Sequence, residues 1–261
     1  MSLSQVQKAE QFQALHRSGC FVIPNPWDAG SARLLAGMGY VALATSSGAA
    51  AGVLGRKDGE ISRAEALAHA RAIVIATDLP VAADLENGFG DAPSAVALTI
   101  RRALETGLVG GSIEDSSGVA ERKIYDFHHA VERVAAAAEA ARAQTFPFTF
   151  TARCENFLRG KPDLDDTIRR LQAYEKAGAD VLFAPALPDI DAVRLVCQSL
   201  SKPFNFMVGI KGKSFSVAAL EAAGVRRISL ATSLYRAAMA GMRSAIDEVK
   251  TSGTFGYLDR L

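Results

Sequence analysis

Net charge, cysteine, histidine and tryptophan are all scarce in this sequence. Lys and Arg number 29 against 28 Asp and Glu, which leaves a formal charge of +1. So small an excess gives no basic field for nucleic acid and no polybasic patch for an anionic membrane. Three Cys, an odd number without paired spacing, exclude a disulfide scaffold and fit a reducing compartment. The segment MSLSQVQKAEQFQALHRSG reads as a polar helix without the apolar core of a secretory leader, so a cytoplasmic protein is expected. Long apolar runs are missing as well. Residues 34–55 carry no charge, but that window holds five Gly and several Ser and Thr. It reads as a buried strand followed by a small-residue loop, not as a membrane span.

What is present is an ordinary globular composition, 49% apolar and 22% charged over 261 residues. Short apolar runs alternate with amphipathic segments along the whole chain. The runs at 21–24, 40–46, 81–86, 110–115, 148–154, 181–186, 204–208 and 226–231 are expected to be strands. Helical patterns lie between them. The segment 62–77 opens with SRAE, a capping box, and those at 163–177 and 214–223 end at Gly178 and Gly224. The apolar runs are continuous rather than alternating, so both faces of the sheet should be covered. Eight βα units in this length predict a (β/α)8 barrel, with an open doubly wound sheet as runner-up. No GxGxxG follows a strand, which leaves a dinucleotide site unsupported. A single barrel domain over residues 1–261 is expected, with an N-terminal helix and a C-terminal helical tail.

Barrel chemistry is carried at the C-terminal ends of the strands. There the sequence offers Asn25, Thr45 to Gly48, Asp84, Glu86, Glu114, Asp115, Arg153, Glu155 and Asn205. Asp84 and Glu86 are two apart, as are Arg153 and Glu155, so each pair shares a face of its strand while Leu85 and Cys154 point away. Cys154 is therefore read as a buried structural thiol. Asp84, Glu86 and Glu114 should converge from neighbouring strands, and three carboxylates in one mouth call for a cation. All four His fall in helical segments, so the ligands are oxygen only, which selects Mg2+ or Mn2+ over zinc. Helix caps and surface ion pairs are the plainer roles for such acids. The planar fork of Arg153 suits a carboxylate or phosphonate, or else a simple ion pair to Glu155 or Glu114. The Ser46-Ser47-Gly48 turn offers a weaker anion cradle.

Taken together, PNPWDAGSARLL, TSSG, LGRKDGE, ADLENGFGD, SIED, TARCENF and YEKAGADVLF resemble the isocitrate lyase/phosphoenolpyruvate mutase superfamily. Within it they look most like the phosphonomutase-like branch labelled carboxyvinyl-carboxyphosphonate phosphorylmutase. The resemblance implies a (β/α)8 barrel, a homo-oligomer (dimer or tetramer) that swaps its last helix between subunits, Mg2+, and a small 2-oxo acid or phosphoenolpyruvate-type ligand. It implies that Asp84 ligates the metal directly, with Asp58, Glu86 and Glu114 holding it through water. Ser46, Ser47, Gly48 and Arg153 would bind the ligand, and Trp27 and Asn205 would line the pocket. Only the resemblance promotes Asp58.

The departures from that pattern are informative. The lyases carry a Lys-Lys-Cys-Gly-His or Lys-Arg-Cys-Gly-His loop after the fourth strand, whose Cys is the catalytic acid or base. Here that stretch reads DSSGVAERKIYDF, without Cys or His, which disfavours isocitrate and methylisocitrate cleavage. The mutases place Lys and Asn on this loop and a His after the sixth strand. Here only Lys123 is present, and the sixth strand ends FAPALPD. The expectation is a Mg2+-dependent lyase or mutase acting on an oxaloacetate- or phosphonopyruvate-like acid through enolpyruvate, with Arg153, Asp58 and Glu114 as catalytic candidates. Tyr125 is a conceivable acid but reads better as a packing residue. The alternative is a barrel that binds metal and 2-oxo acid without turnover, as a sensor or relic.

Overall fold

The apolar runs become eight parallel strands. They are β1 (Phe21–Ile23), β2 (Leu43–Ala44), β3 (Val81–Asp84), β4 (Gly110–Glu114), β7 (Thr149–Arg153), β8 (Val181–Phe183), β9 (Phe204–Met207) and β10 (Arg227–Ser229). This computed structural model describes residues 3–119 and 122–260. The strand order is β1-β10-β9-β8-β7-β4-β3-β2, and every neighbouring pair is parallel. Between β1 and β2 the barrel is drawn together by a bond from Ala44 N–H to Pro24 O at 3.1 Å. A helix follows each strand before the next begins, which is the (β/α)8 arrangement.

The helices form for reasons visible in their ends. In α4 (Arg63–Ala76), Ser62 and Glu65 complete the capping box. Asp28, Asp163 and Asp189 cap the helices that start after them. Asp189, the first charged residue beyond the sixth strand, is thus spent on α8 (Ile190–Gln198). The helix α1 (Gln5–Leu15) lies across the N-terminal ends of the strands. Gln5 bonds Leu108 O, and Phe12 packs with Ile23, Ala82 and Val109. That end is sealed, and the C-terminal end is left for the site.

Two segments differ from the sequence expectation. Residues expected to be a small-residue loop form α3 (Ser47–Val53), capped by Ser46. Its Ala and Gly side chains carry no periodic signal, yet its buried alanines pack into the shell. Gly52 fits because a Cβ there would lie 2.7 Å from the Tyr235 ring. After β4 the chain also forms a hairpin, β5 (Ser116–Val119) and β6 (Arg122–Ile124), before α6 (Phe127–Arg142). The last helix, α10 (Ser233–Ser252), runs for 20 residues and buries none of them. Among the described residues no helix is long and apolar enough to cross a membrane.

Candidate active site

The strand ends surround a mouth of about 600 Å3, lined among others by Ser46, Ser47, Asp58, Asp84, Glu86, Glu114, Arg153 and Arg159. Alternation along β3 places Asp84 inward and Leu85 in the outer core. Asp84 Oδ2 accepts from Ser47 N–H at 3.3 Å and Oδ1 from Glu86 N–H at 3.2 Å. The strand stops at Asp84 because Glu86 turns to φ +50°. That left-handed conformation costs a non-glycine residue about 1–2 kcal/mol and returns the Glu86 carboxyl to the mouth.

Glu114 ends β4 beside Arg153, which ends β7 in register with it. Arg153 Nη1 lies 3.3 Å from Glu114 Oε2 and 3.8 Å from Asp84 Oδ2, and its Nε donates to Glu155 Oε1 at 2.5 Å. The plain ion pair to Glu155 and the placement at the mouth therefore both hold. Arg159, one helical turn beyond Glu155, reaches Glu114 Oε1 at 3.1 Å and Glu155 Oε2 at 2.9 Å. This second cation was missed in the sequence, although the four-residue spacing from Glu155 was a signal for it.

Burial sets the electrostatics. Desolvation, then Asp84 and Asp58, push Glu86 up to about 8. Burial and the Glu155 carboxylate hold Glu114 well above the ordinary carboxylate range, against the pull of Arg153. Burial works against the Arg153 charge too, yet Glu155, Glu114 and Asp84 outweigh it and raise its guanidinium further. Burial, followed by Asp115, likewise raises Cys154, in keeping with an inert core thiol.

Asp58 stands on an exposed loop and faces the mouth. Gly48 permits this approach, since a Cβ there would sit 3.3 Å from Asp58 Oδ2 and 3.0 Å from Thr232 Oγ1. Ser46 caps α3 and shares a bond of 3.1 Å with Thr232. Of the two residues expected to line the pocket, Trp27 lies outside the mouth and Asn205 lines the smaller cavity beneath it. Trp27 packs edge-on against Tyr235, with ring centroids 5.9 Å apart, and is absent from the lining of the mouth. Asn205 lies deep in β9, where it accepts from Arg227 Nε at 2.7 Å and donates to Ser229 Oγ at 3.1 Å. Tyr125 is buried, and its hydroxyl donates to Asp91 Oδ1 at 2.5 Å. Asp115 turns away from the mouth and accepts from Tyr174 OH at 2.6 Å and from Glu155 N–H at 2.8 Å.

The donor set fits a hard cation. Glu86 Oε1 is buried with no hydrogen-bond partner, and the pull of Arg153 and Arg159 does not offset what burial, Asp84 and Asp58 do to raise the Glu86 carboxyl. Among the described residues no three acidic side chains form a preformed cage. Mg2+ keeps several waters and needs only one or two direct carboxylates.

Comparison with known proteins agrees with this geometry. The sequence model of the phosphoenolpyruvate phosphomutase family matches residues 12–250. A solved lyase/mutase-type structure from Burkholderia cenocepacia J2315 is 52% identical, with a TM-score of 0.97, covering 98% of this chain and 92% of that one. The 2-methylisocitrate lyase of Escherichia coli K12 is 32% identical over 212 residues, 78% of this chain and 70% of that protein. A solved 2,3-dimethylmalate lyase is 26% identical, with a TM-score of 0.86, covering 98% of this chain and 90% of that one. With the barrel, the acid-rich mouth and these matches in agreement, the chain belongs to the phosphoenolpyruvate phosphomutase family, within the isocitrate lyase/phosphoenolpyruvate mutase superfamily.

Proposed function

We propose that the protein is a divalent-metal-dependent lyase or mutase acting on a small 2-oxo acid of the oxaloacetate or phosphonopyruvate kind. The observation that carries this reading is the under-compensated carboxylate cluster at the mouth, with the orphaned Glu86 Oε1 beside Asp84 and Arg153. Asp84 would hold Mg2+ or Mn2+, with Asp58, Glu86 and Glu114 around it through water. Bound there, the cation would supply Lewis-acid stabilisation for charge developing on a keto oxygen.

The chain's own residues do the rest. Arg153, fixed on one side by Glu155, presents Nη1 to the mouth, where it can meet a carboxylate or phosphonate. Ser46, Ser47 and Gly48, at the start of α3, would receive the other end of the ligand. Glu114 and Arg159 close the flank next to the hairpin. Cleavage of the C3–C bond would release CO2 and leave enolpyruvate, which a proton returned to C3 would convert to pyruvate; cleavage of the C3–P bond would pass the phosphoryl group either to water, with the same proton return, or to the enolate oxygen. The hairpin brings no Cys or His to this place, which supports decarboxylation or P–C chemistry over retro-aldol cleavage of isocitrate or methylisocitrate.

A pyruvate-release assay with Mg2+ tests the reading. The panel is oxaloacetate, phosphonopyruvate, a C2-alkylated malate, isocitrate and 2-methylisocitrate. Pyruvate from oxaloacetate or phosphonopyruvate is expected, with Asp84→Ala lowering turnover at least about 100-fold through loss of metal affinity, checked by titration calorimetry; glyoxylate, assayed for isocitrate, would overturn the reading of the missing Cys. Full metal binding and turnover in Asp84→Ala would sink the assignment. Ligand-dependent melting without product from any compound would favour a binding barrel instead.

A further inference from the structure

Below the mouth lies a second cavity of about 60 Å3, inside the barrel. Arg227 of β10 lines it and is buried. Its Nε donates to Asn205 Oδ1 at 2.7 Å, and its Nη2 to Thr151 Oγ1 at 3.0 Å. Its Nη1 lies 3.3 Å from His16 Nε2. All three partners are neutral. His16 supplies no charge: its Nδ1 lies 2.8 Å from Phe12 O and so carries the proton, which leaves Nε2 to accept. Burial, then Arg227, hold the His16 pKa down at about 3.

Among the described residues no carboxylate forms an ion pair with Arg227, whereas the buried Arg153 and Arg170 each have carboxylate partners. A lone buried guanidinium is strongly disfavoured. A guanidinium has five N–H donors, and Arg227 spends three. Two remain, and the cavity is where they can be used. Its charged lining is Arg227 and Arg153 against Asp84 alone. A water needs only about 10–15 Å3 measured this way, so the space holds a small ion with room to spare.

We propose that this cavity is an anion site, in which one small monovalent anion of halide size bonds the spare N–H groups of Arg227 and balances its charge. The anion reaches it from the mouth, because the two cavities share Ser46, Asp84, Arg153, Met207 and Ala231. A larger polyol anion such as gluconate does not fit the space.

Bromide is the probe. Thermal unfolding of the whole protein, without substrate, is followed in potassium bromide and in potassium gluconate at equal ionic strength. Bromide at about five times its Kd should raise Tm by about 2–4 °C over gluconate. Arg227→Met should abolish that difference. Should this variant fail to fold, wild-type crystals soaked in bromide decide, through an anomalous peak within hydrogen-bond distance of Arg227. Coincident curves for the two salts, a bromide shift that survives in Arg227→Met, or a cavity holding only water in bromide would each overturn the proposal.

Discussion

At the scale of single residues, His16 links stability to pH. Its folded pKa is depressed to about 3, against about 6.5 in the unfolded chain. The neutral imidazole is therefore favoured in the fold. Its contribution is complete above pH 6.5 and is lost as pH falls from there towards 3, because the unfolded chain takes up a proton that the fold refuses. Between pH 7 and pH 5 that amounts to about 2 kcal/mol. The raised Glu86 carboxyl acts in the opposite sense over the same range, so wild-type stability alone does not isolate the effect. The difference between wild type and His16→Gln does. Urea midpoints at pH 7 and 5 should show a loss for wild type that is smaller by about 2 kcal/mol in the variant. Equal losses in both would mean that His16 titrates normally in the fold.

At the scale of elements, the loop after β3 carries Glu86 and is held from below by α6. Arg133 is 1% exposed and lies over the Tyr125 ring, with Cζ 4.2 Å from its centroid. It donates to Gly90 O at 2.6 Å and also to the carbonyls of Asn87 and Asp91. Arg133→Met would leave three carbonyls short of a donor and should cost about 3 kcal/mol by urea titration, with weaker metal binding because Glu86 loses its support. Unchanged metal affinity in a folded Arg133→Met would show that Glu86 is positioned without this tether. None of this was legible in the sequence, where Arg133 sits in an Ala-rich helical pattern and looks like one more solvated charge. The eight strands were legible because each is a continuous apolar run. Asp84, Glu86 and Arg153 were legible from two-residue spacing at strand ends, and Glu114 from its place at the end of a neighbouring strand. The helix α3 was not, because alanine and glycine give no amphipathic period. Nor was the hairpin, whose Ser116, Ser117 and Gly118 read as a loop. Asn205 was expected at the mouth because strand boundaries are soft in sequence, and one or two residues separate the rim from the barrel interior. Arg227 was passed over because a charged residue at a strand start usually faces solvent.

At the scale of the whole molecule, α10 meets the barrel at its start, where Tyr235 packs on Trp27 and Gly52, yet none of its 20 residues is buried. Twenty residues of helix span about 30 Å, and a helix of this kind is stabilised mainly by packing an amphipathic face. Met239, Met242, Ile246 and Val249 recur at helical spacing, with Met242 59% and Ile246 54% exposed. Phe255 and Leu258, just beyond, are exposed as well. This stripe supports the reading that α10 docks on a second copy of the chain, as a dimer or tetramer. Sedimentation equilibrium at micromolar concentration should then give a mass of at least two chains. Met242→Asp combined with Ile246→Asp should give one chain, with the far-ultraviolet circular dichroism little changed. Neither position lines the mouth, but the helix starts there: Ser233 and Arg236 line it, and Tyr235 packs over Gly52 of α3. Loss of assembly should therefore loosen the start of α10 and lower turnover several-fold, although no mouth residue has changed. A wild-type protein that sediments as one chain would remove the reason for the stripe. A monomeric variant with full turnover would show that the mouth is complete within one barrel.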